Sequence, residues 1–173
     1  MTFRVIQGLR TASVLLERPS CIPKGRARGK KAAGLRYERE LAKALPKARH
    51  GQWFQFEDLR GPGWCQVDLL LEEGGVWLIL EAKYTWTQVG HNQIQLLYKP
   101  VIERATGQLA VGVVVCKVLT QETPKGWVCR GLEEARSRAL CGLPTVLHWI
   151  GSGLGPLQTI RPRGHLADSL ASL

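Results

Sequence analysis

Residues Trp64–Lys83, WCQVDLLLEEGGVWLILEAK, read as two apolar strands joined at Glu72-Glu73-Gly74-Gly75, a glycine-rich connection of the kind that closes a β-hairpin. Val67, Leu69 and Leu71 alternate with Gln66, Asp68 and Leu70, and Val76, Leu78, Leu80 and Ala82 alternate with Trp77, Ile79, Glu81 and Lys83. Strict alternation predicts one wholly apolar face and a second face carrying Asp68, Glu81 and Lys83. With Gly74-Gly75 as a two-residue loop, Glu73 pairs with Val76 and Asp68 falls directly opposite Glu81. With Glu73-Gly74 as the loop, Asp68 pairs with Ile79 and Glu81 lies one diagonal step away. Either register keeps the acids on one side, whereas an odd-length loop separates them. Directly opposed residues have Cβ atoms roughly 4.5–5.5 Å apart, a spacing that suits two carboxylates sharing one cation.

The surrounding chain has 173 residues and is 45% hydrophobic, which predicts one globular domain. No apolar run approaches the roughly 20 residues of a membrane span. Five cysteines (Cys21, Cys65, Cys116, Cys129, Cys141) form no CxxC pair and four histidines are scattered, which argues against structural zinc. The unpatterned, odd cysteine count fits a reducing compartment, and the expected location is cytoplasmic, nucleoid-associated or phage-encoded in a bacterial host. Residues 1–50 hold 13 Lys/Arg against three acids and residues 51–173 hold 11 of each, so the whole net charge of +10 is N-terminal. A basic segment beside a neutral body points to a polyanionic partner such as nucleic acid.

Residues 1–20 carry Arg, Ser and Thr with one acid, a composition shared by mitochondrial transit peptides and by an ordinary strand or short helix. Lys24, Arg26, Arg28, Lys30 and Lys31, interleaved with glycine, read either as a basic arm on a phosphate backbone or as a solvated surface loop. Residues 1–31 are therefore expected as an N-terminal arm, 32–150 as the core and 151–173 as an irregular tail. Ala32–Leu45 reads as a helix ended by Pro46, with Leu35, Leu41, Ala42 and Leu45 as its buried stripe and Glu38 inside that stripe. A carboxylate so placed needs a partner, either a buried Arg or a metal ion. Gly51–Leu59 reads as a strand, followed by a turn at Arg60–Gly63. His91–Ala105 is expected as a helix that Pro100 kinks or breaks, with Gln95 and Tyr98 on one flank. The β-branched run Leu109–Leu119 predicts a central strand covered on both faces. Gly131–Leu140 reads as a short helix and Thr145–Ile150 as a last strand.

Glu38, Asp68, Glu81 and Lys83 suggest one chemistry. Few carboxylates and no softer donors suit Mg²⁺ or Mn²⁺, which neutralises a phosphodiester and lowers the pKa of a bound water. Lys83 could orient that water or stabilise charge on the phosphorus oxygens. The sequence holds no GxSxG, no Cys beside His and no GxxxxGK[ST] loop.

Asp68 followed by Glu81-Ala82-Lys83 at the end of an apolar strand resembles the PD-(D/E)XK nuclease superfamily. Gly34-Leu-Arg-Tyr37-Glu38 is similar to the GxxxE helix of archaeal-type Holliday junction resolvases and RecB-like nucleases. Gln95-Leu-Leu-Tyr98, with Gln93 nearby, resembles the glutamine/tyrosine helix of RecB-like and λ-exonuclease-like members, at a spacing one short of QxxxY. Val67 stands where the name-giving proline would be. The resemblance spans roughly residues 30–105 and implies a restriction-endonuclease-like α/β/α sandwich with a central mixed sheet flanked by helices. It implies Asp68, Glu81 and the Ala82 carbonyl as metal ligands, Glu38 as a further ligand or a water-mediated contact, and Lys83 and Gln95 as catalytic. The implied activity is Mg²⁺- or Mn²⁺-dependent cleavage of DNA, branched or duplex, by a homodimer. An exonuclease and a non-catalytic nucleic-acid-binding module on the same scaffold are the alternatives.

Overall fold

Gly74 and Gly75 have φ of 60° and 77°, left-handed values that glycine adopts without steric cost and that match a two-residue hairpin turn to the twist of its strands. Glu73 therefore pairs with Val76, and the antiparallel ladder runs back to Leu69↔Leu80. The first of the two predicted registers is the one adopted. The computed structural model describes residues 3–23 and 29–151, and the hairpin strands, β3 (Gly61–Glu73) and β4 (Val76–Thr85), lie at the middle of its seven-stranded sheet. Of the other strands, β1 is Thr11–Leu15, β2 is Arg49–Asp58 and β5 is Leu109–Val118. The remaining two are β6 (Val128–Cys129) and β7 (Val146–His148). Their order across the sheet is β1-β2-β3-β4-β5-β7-β6. The first four pair antiparallel and the rest parallel, so the protein is α/β with a mixed sheet. The β-branched run is central, as its composition predicts: Val113, Val114, Val115 and Cys116 are fully buried.

Helices cover both faces. The helices α1 (Lys30–Ala44) and α4 (Leu132–Leu140) place Tyr37, Leu41, Leu132 and Ala135 against Leu69, Leu71, Leu78, Leu80 and Val113. On the opposite face lie α2 (Gln88–Gln93), a π-helical turn (Ile94–Tyr98) and α3 (Lys99–Thr106). These bring Ile94, Leu97, Tyr98 and Val101 against Val67, Leu70, Ile79 and Val114. Among the described residues no helix is long and apolar enough to cross a membrane.

Three expectations change and a fourth is refined. The stripe of α1 is Tyr37, Leu41 and Leu45, with Leu35 only half-buried. The β2–β3 turn sits at Leu59–Arg60, and Gly61 and Pro62 already pair with Asp58 and Glu57; Pro62 is tolerated because β4 does not reach that half of β3, leaving an edge that needs no donor. Residues 3–15 belong to the core: Phe3, Ile6, Leu9 and Ala12 pack on it and β1 pairs with β2. Finally, the kink or break expected at Pro100 takes the form of a change of helix type, the π turn giving way to α3 at Lys99. Proline removes the N–H that would bond the Leu96 carbonyl; the chain widens into the π turn just before it, and the N–H of Ile6 takes that carbonyl at 3.1 Å. Lys24, Arg26 and Arg28 of the basic arm, and the tail beyond Gly151, lie outside the described residues. Lys30 and Lys31 open α1.

Candidate functional site

The hairpin ladder ends at Leu69↔Leu80 although both strands continue. Asp68 and Glu81, the next opposed positions, therefore stand where β3 and β4 part. Beyond that point β3 pairs only with β2, and β4 only with β5. Asp68 Oδ2 accepts the N–H of Ala82 at 2.9 Å, so a carboxylate replaces the missing ladder bond. The inward alternation of β3 also changes phase here. Cys65 and Val67 share a cluster with Leu70, while Leu69 and Leu71 lie in the opposite one. Val67, Leu69 and Leu71 thus do not share a face as strict alternation predicts. The facing strand breaks at the same level: Gly51 has φ 67° and lies between His50↔Leu69 and Gln52↔Val67. An isolated glycine inside a strand pattern is the signal that points to such an irregularity.

Glu81 is 1% exposed. Its Oε1 accepts a charge-assisted bond from Lys83 Nζ, and its buried Oε2 has no other donor than the Asp68 carboxyl, with which Glu81 shares a side-chain hydrogen bond. Burial, then the Glu81 charge and then that of Glu38, push the Asp68 carboxyl well above the usual carboxylate range. Burial likewise pushes Glu81 up against the opposing pull of Lys83. Burial works to lower Lys83, but Glu81, Asp68 and Glu38 outweigh it and hold the ammonium above its usual value. The net result is a buried pair of acids that resist ionising together, beside a cation that stays charged.

Glu38 comes from α1 and, among the described residues, is paired with neither an arginine nor either of the other acids. Its Oε1 lies 2.7 Å from Nε2 of His50, a residue that sequence reasoning does not single out and that the break at Gly51 turns toward α1. Glu38 adds negative potential to the Asp68–Glu81 pair, but among the described residues no three His, Cys, Asp or Glu side chains are gathered closely enough to hold a metal ion. Gln95 is exposed and is not brought to the site. Gln93 is: its Nε2 donates to the hydroxyl of Tyr98. A π turn closes i→i+5 bonds, so residues five apart share a side and Gln93, rather than Gln95, meets Tyr98. Tyr98 is buried, and burial, then Glu81 and Asp68, push its phenol far up. Trp86 is buried in the core and Trp64 is 38% exposed. Burial pushes the Cys65 and Cys116 thiols up to about 12, far from the thiolate that a nucleophile requires.

Fold and site define an α/β protein whose mixed sheet carries a buried carboxylate pair and a lysine where two central strands separate. No family model, curated protein or solved structure matches the chain.

Proposed function

We propose that the protein is a metal-dependent nuclease of the PD-(D/E)XK kind, with a restriction-endonuclease-like core, that hydrolyses DNA phosphodiester bonds. The observation that carries this reading is the buried Glu81 carboxylate. It is opposed to Asp68, shares a side-chain hydrogen bond with that second buried acid, and is bound through one oxygen to Lys83. Two buried acids in contact are costly to ionise together, and a hard cation is what an oxygen-only donor pair of this kind accommodates. Asp68, Glu81 and the Ala82 carbonyl would hold Mg²⁺ or Mn²⁺, with Glu38 beside them. That ion supplies charge neutralisation at the phosphate and a more acidic bound water. The chain's own part is positional and electrostatic. The Ala82 N–H fixes the Asp68 carboxylate, Glu81 fixes the Lys83 ammonium, and that ammonium is placed to stabilise negative charge on a phosphate oxygen. The N-terminal excess of positive charge supports DNA as the polyanion.

Cleavage of a panel of four-way junctions and linear duplexes with Mg²⁺ or Mn²⁺ tests this. Glu81→Ala and Lys83→Ala should each lower cleavage at least about 100-fold, the scale of losing one electrostatic stabiliser. Unchanged cleavage in either variant rejects the assignment. Preference for junctions, with a dimer in sedimentation, supports a resolvase. Degradation of linear ends without junction preference supports the exonuclease reading, which the Gln93–Tyr98 pair beside the acids favours.

A further inference from the structure

The sheet carries a second feature at the same end but on the opposite face. A cavity of about 170 Å³ is lined by Ala33, Arg36, Tyr37 and Glu40 of α1, Tyr84 near the end of β4 and Lys117 near the end of β5. Lys83 pairs with Cys116 and Thr85 with Val118, so Tyr84 and Lys117 are neighbours one step past Lys83, turned the other way. Their rings and charge are organised. The Tyr84 ring meets that of Tyr37 edge-on at 6.3 Å, and Lys117 Nζ lies 5.8 Å from the Tyr84 centroid. The Tyr37 hydroxyl is committed to the Trp149 carbonyl at 2.9 Å, so the side-chain donors left to a ligand are the Tyr84 hydroxyl and the two cations, Arg36 and Lys117. Neither cation forms an ion pair among the described residues. Glu40 is the single acid in the wall.

Two unneutralised cations around a small polar hollow call for an anion. The hollow opens to solvent and its volume of about 170 Å³ leaves room for a phosphate group and its hydration. Tyr84 is 42% exposed and offers a ring at the rim.

We propose that this cavity binds a backbone phosphate of the nucleic-acid strand, held by Arg36 and Lys117 with the adjoining sugar or base against Tyr84. The inference rests on the nuclease reading for the direction of the strand, which would run from the acids round the end of β4 to the far face. Arg36 supplies a planar fork for two phosphate oxygens, and Lys117 a point charge.

The test is equilibrium binding of a fluorescein-labelled oligonucleotide to the full chain in EDTA, read by anisotropy over a range of KCl concentrations. Each phosphate contact contributes about 0.9 to the slope of log K against log salt on duplex and about 0.7 on single strands. Arg36→Ala and Lys117→Ala should each flatten the slope by about that amount, while Glu40→Gln should tighten binding at low salt. Slopes unchanged in both cation variants overturn the proposal, as does weaker binding by Glu40→Gln. Arg36→Gln serves as the second variant if Arg36→Ala fails to give the wild-type circular dichroism spectrum. Inorganic phosphate and a nucleoside monophosphate are titrated as competitors. Displacement of the strand by either at strand-equivalent concentration assigns the cavity to a free anion and overturns the strand. A parallel Mg²⁺ cleavage assay of Lys83→Ala keeps the two readings apart. Lost cleavage with unaltered slopes removes the cavity and retains the nuclease, whereas flattened slopes with unaltered cleavage do the reverse.

Discussion

At the scale of single residues, the buried acid pair is set against its own fold. Asp68 has a folded pKa above its ordinary 3.8 because burial and Glu81 penalise its charge. The unfolded chain releases that proton more readily, so stability falls as pH rises from about 4 through the folded value and stays reduced above it. Asparagine lacks this ionisation and still offers an oxygen to the Ala82 N–H. Asp68→Asn should therefore raise the melting temperature in chelator at neutral pH, and the gain should vanish toward pH 4. A variant less stable than wild type at neutral pH would show that Asp68 is not destabilised by ionising. Divalent metal should reverse the order, since only the wild type gains from it. The same raised carboxylates require that Mn²⁺ displace protons. Its affinity should therefore rise with pH over the window in which Asp68 and Glu81 titrate, with proton release visible by calorimetry in buffers of different ionisation enthalpy. Affinity and proton uptake independent of pH would exclude the pair as ligands.

At the scale of elements, Gly112 shows how tightly the π turn is seated. A Cβ at Gly112 would lie 2.1 Å from Cγ2 of Ile94, so glycine in this central strand allows the turn that carries Gln93 and Tyr98 to lie on β5. Gly112→Ala should cost about 1–3 kcal/mol as overpacking, a fall of about 2–4 °C in melting temperature per kcal/mol for a chain of this size. Ile94→Leu removes the offending Cγ2 at nearly constant volume. The double variant should therefore be more stable than the sum of the singles by about 0.5 kcal/mol or more, and strict additivity in denaturant unfolding would show that the contact is not the cause. These elements also mark what was legible in the sequence. The glycine-rich turn narrows the hairpin to two registers, both with Asp68 and Glu81 on one side, and the β-branched run marks a central strand. The π turn could not be counted, because its i→i+5 phase depends on Pro100 and on Ile6, about ninety residues away; a helical wheel therefore selected Gln95 where the fold uses Gln93. His50 was hidden for a similar reason, its direction being set by the left-handed Gly51 rather than by strand alternation.

At the scale of the whole molecule, the segment before the basic arm is tied into the sheet by contacts that no local pattern announces. β1 has an exposure pattern without clean alternation and is a strand because β2 offers it an edge. Its anchor is Asp58, 1% exposed at the end of β2. That carboxylate accepts from the Arg4 guanidinium, from the Arg60 N–H at 2.8 Å and from the Gln7 N–H at 3.2 Å. Arg4 in turn donates to the carbonyls of Gly61 at 2.7 Å and Pro62 at 2.9 Å. One ion pair thus joins the N-terminal segment, the β2–β3 turn and the start of the hairpin strand. The Arg4 guanidinium, against the opposing effect of burial, holds Asp58 below its ordinary 3.8, helped by the Arg60 and Gln7 N–H groups. A lowered folded pKa has the opposite sign to that of Asp68. Its stabilisation is complete above the unfolded value near 3.8 and is lost as pH falls through the lower folded value. Asp58→Asn should accordingly unfold at lower urea than wild type at neutral pH, and the gap between their midpoints should narrow only below about pH 4. Arg4→Ala should behave similarly, since it leaves a buried carboxylate without its cation. A gap that stays constant down to about pH 3, or that closes already near neutrality, would mean that the carboxylate's charge is not what fastens the N-terminal strand to the sheet.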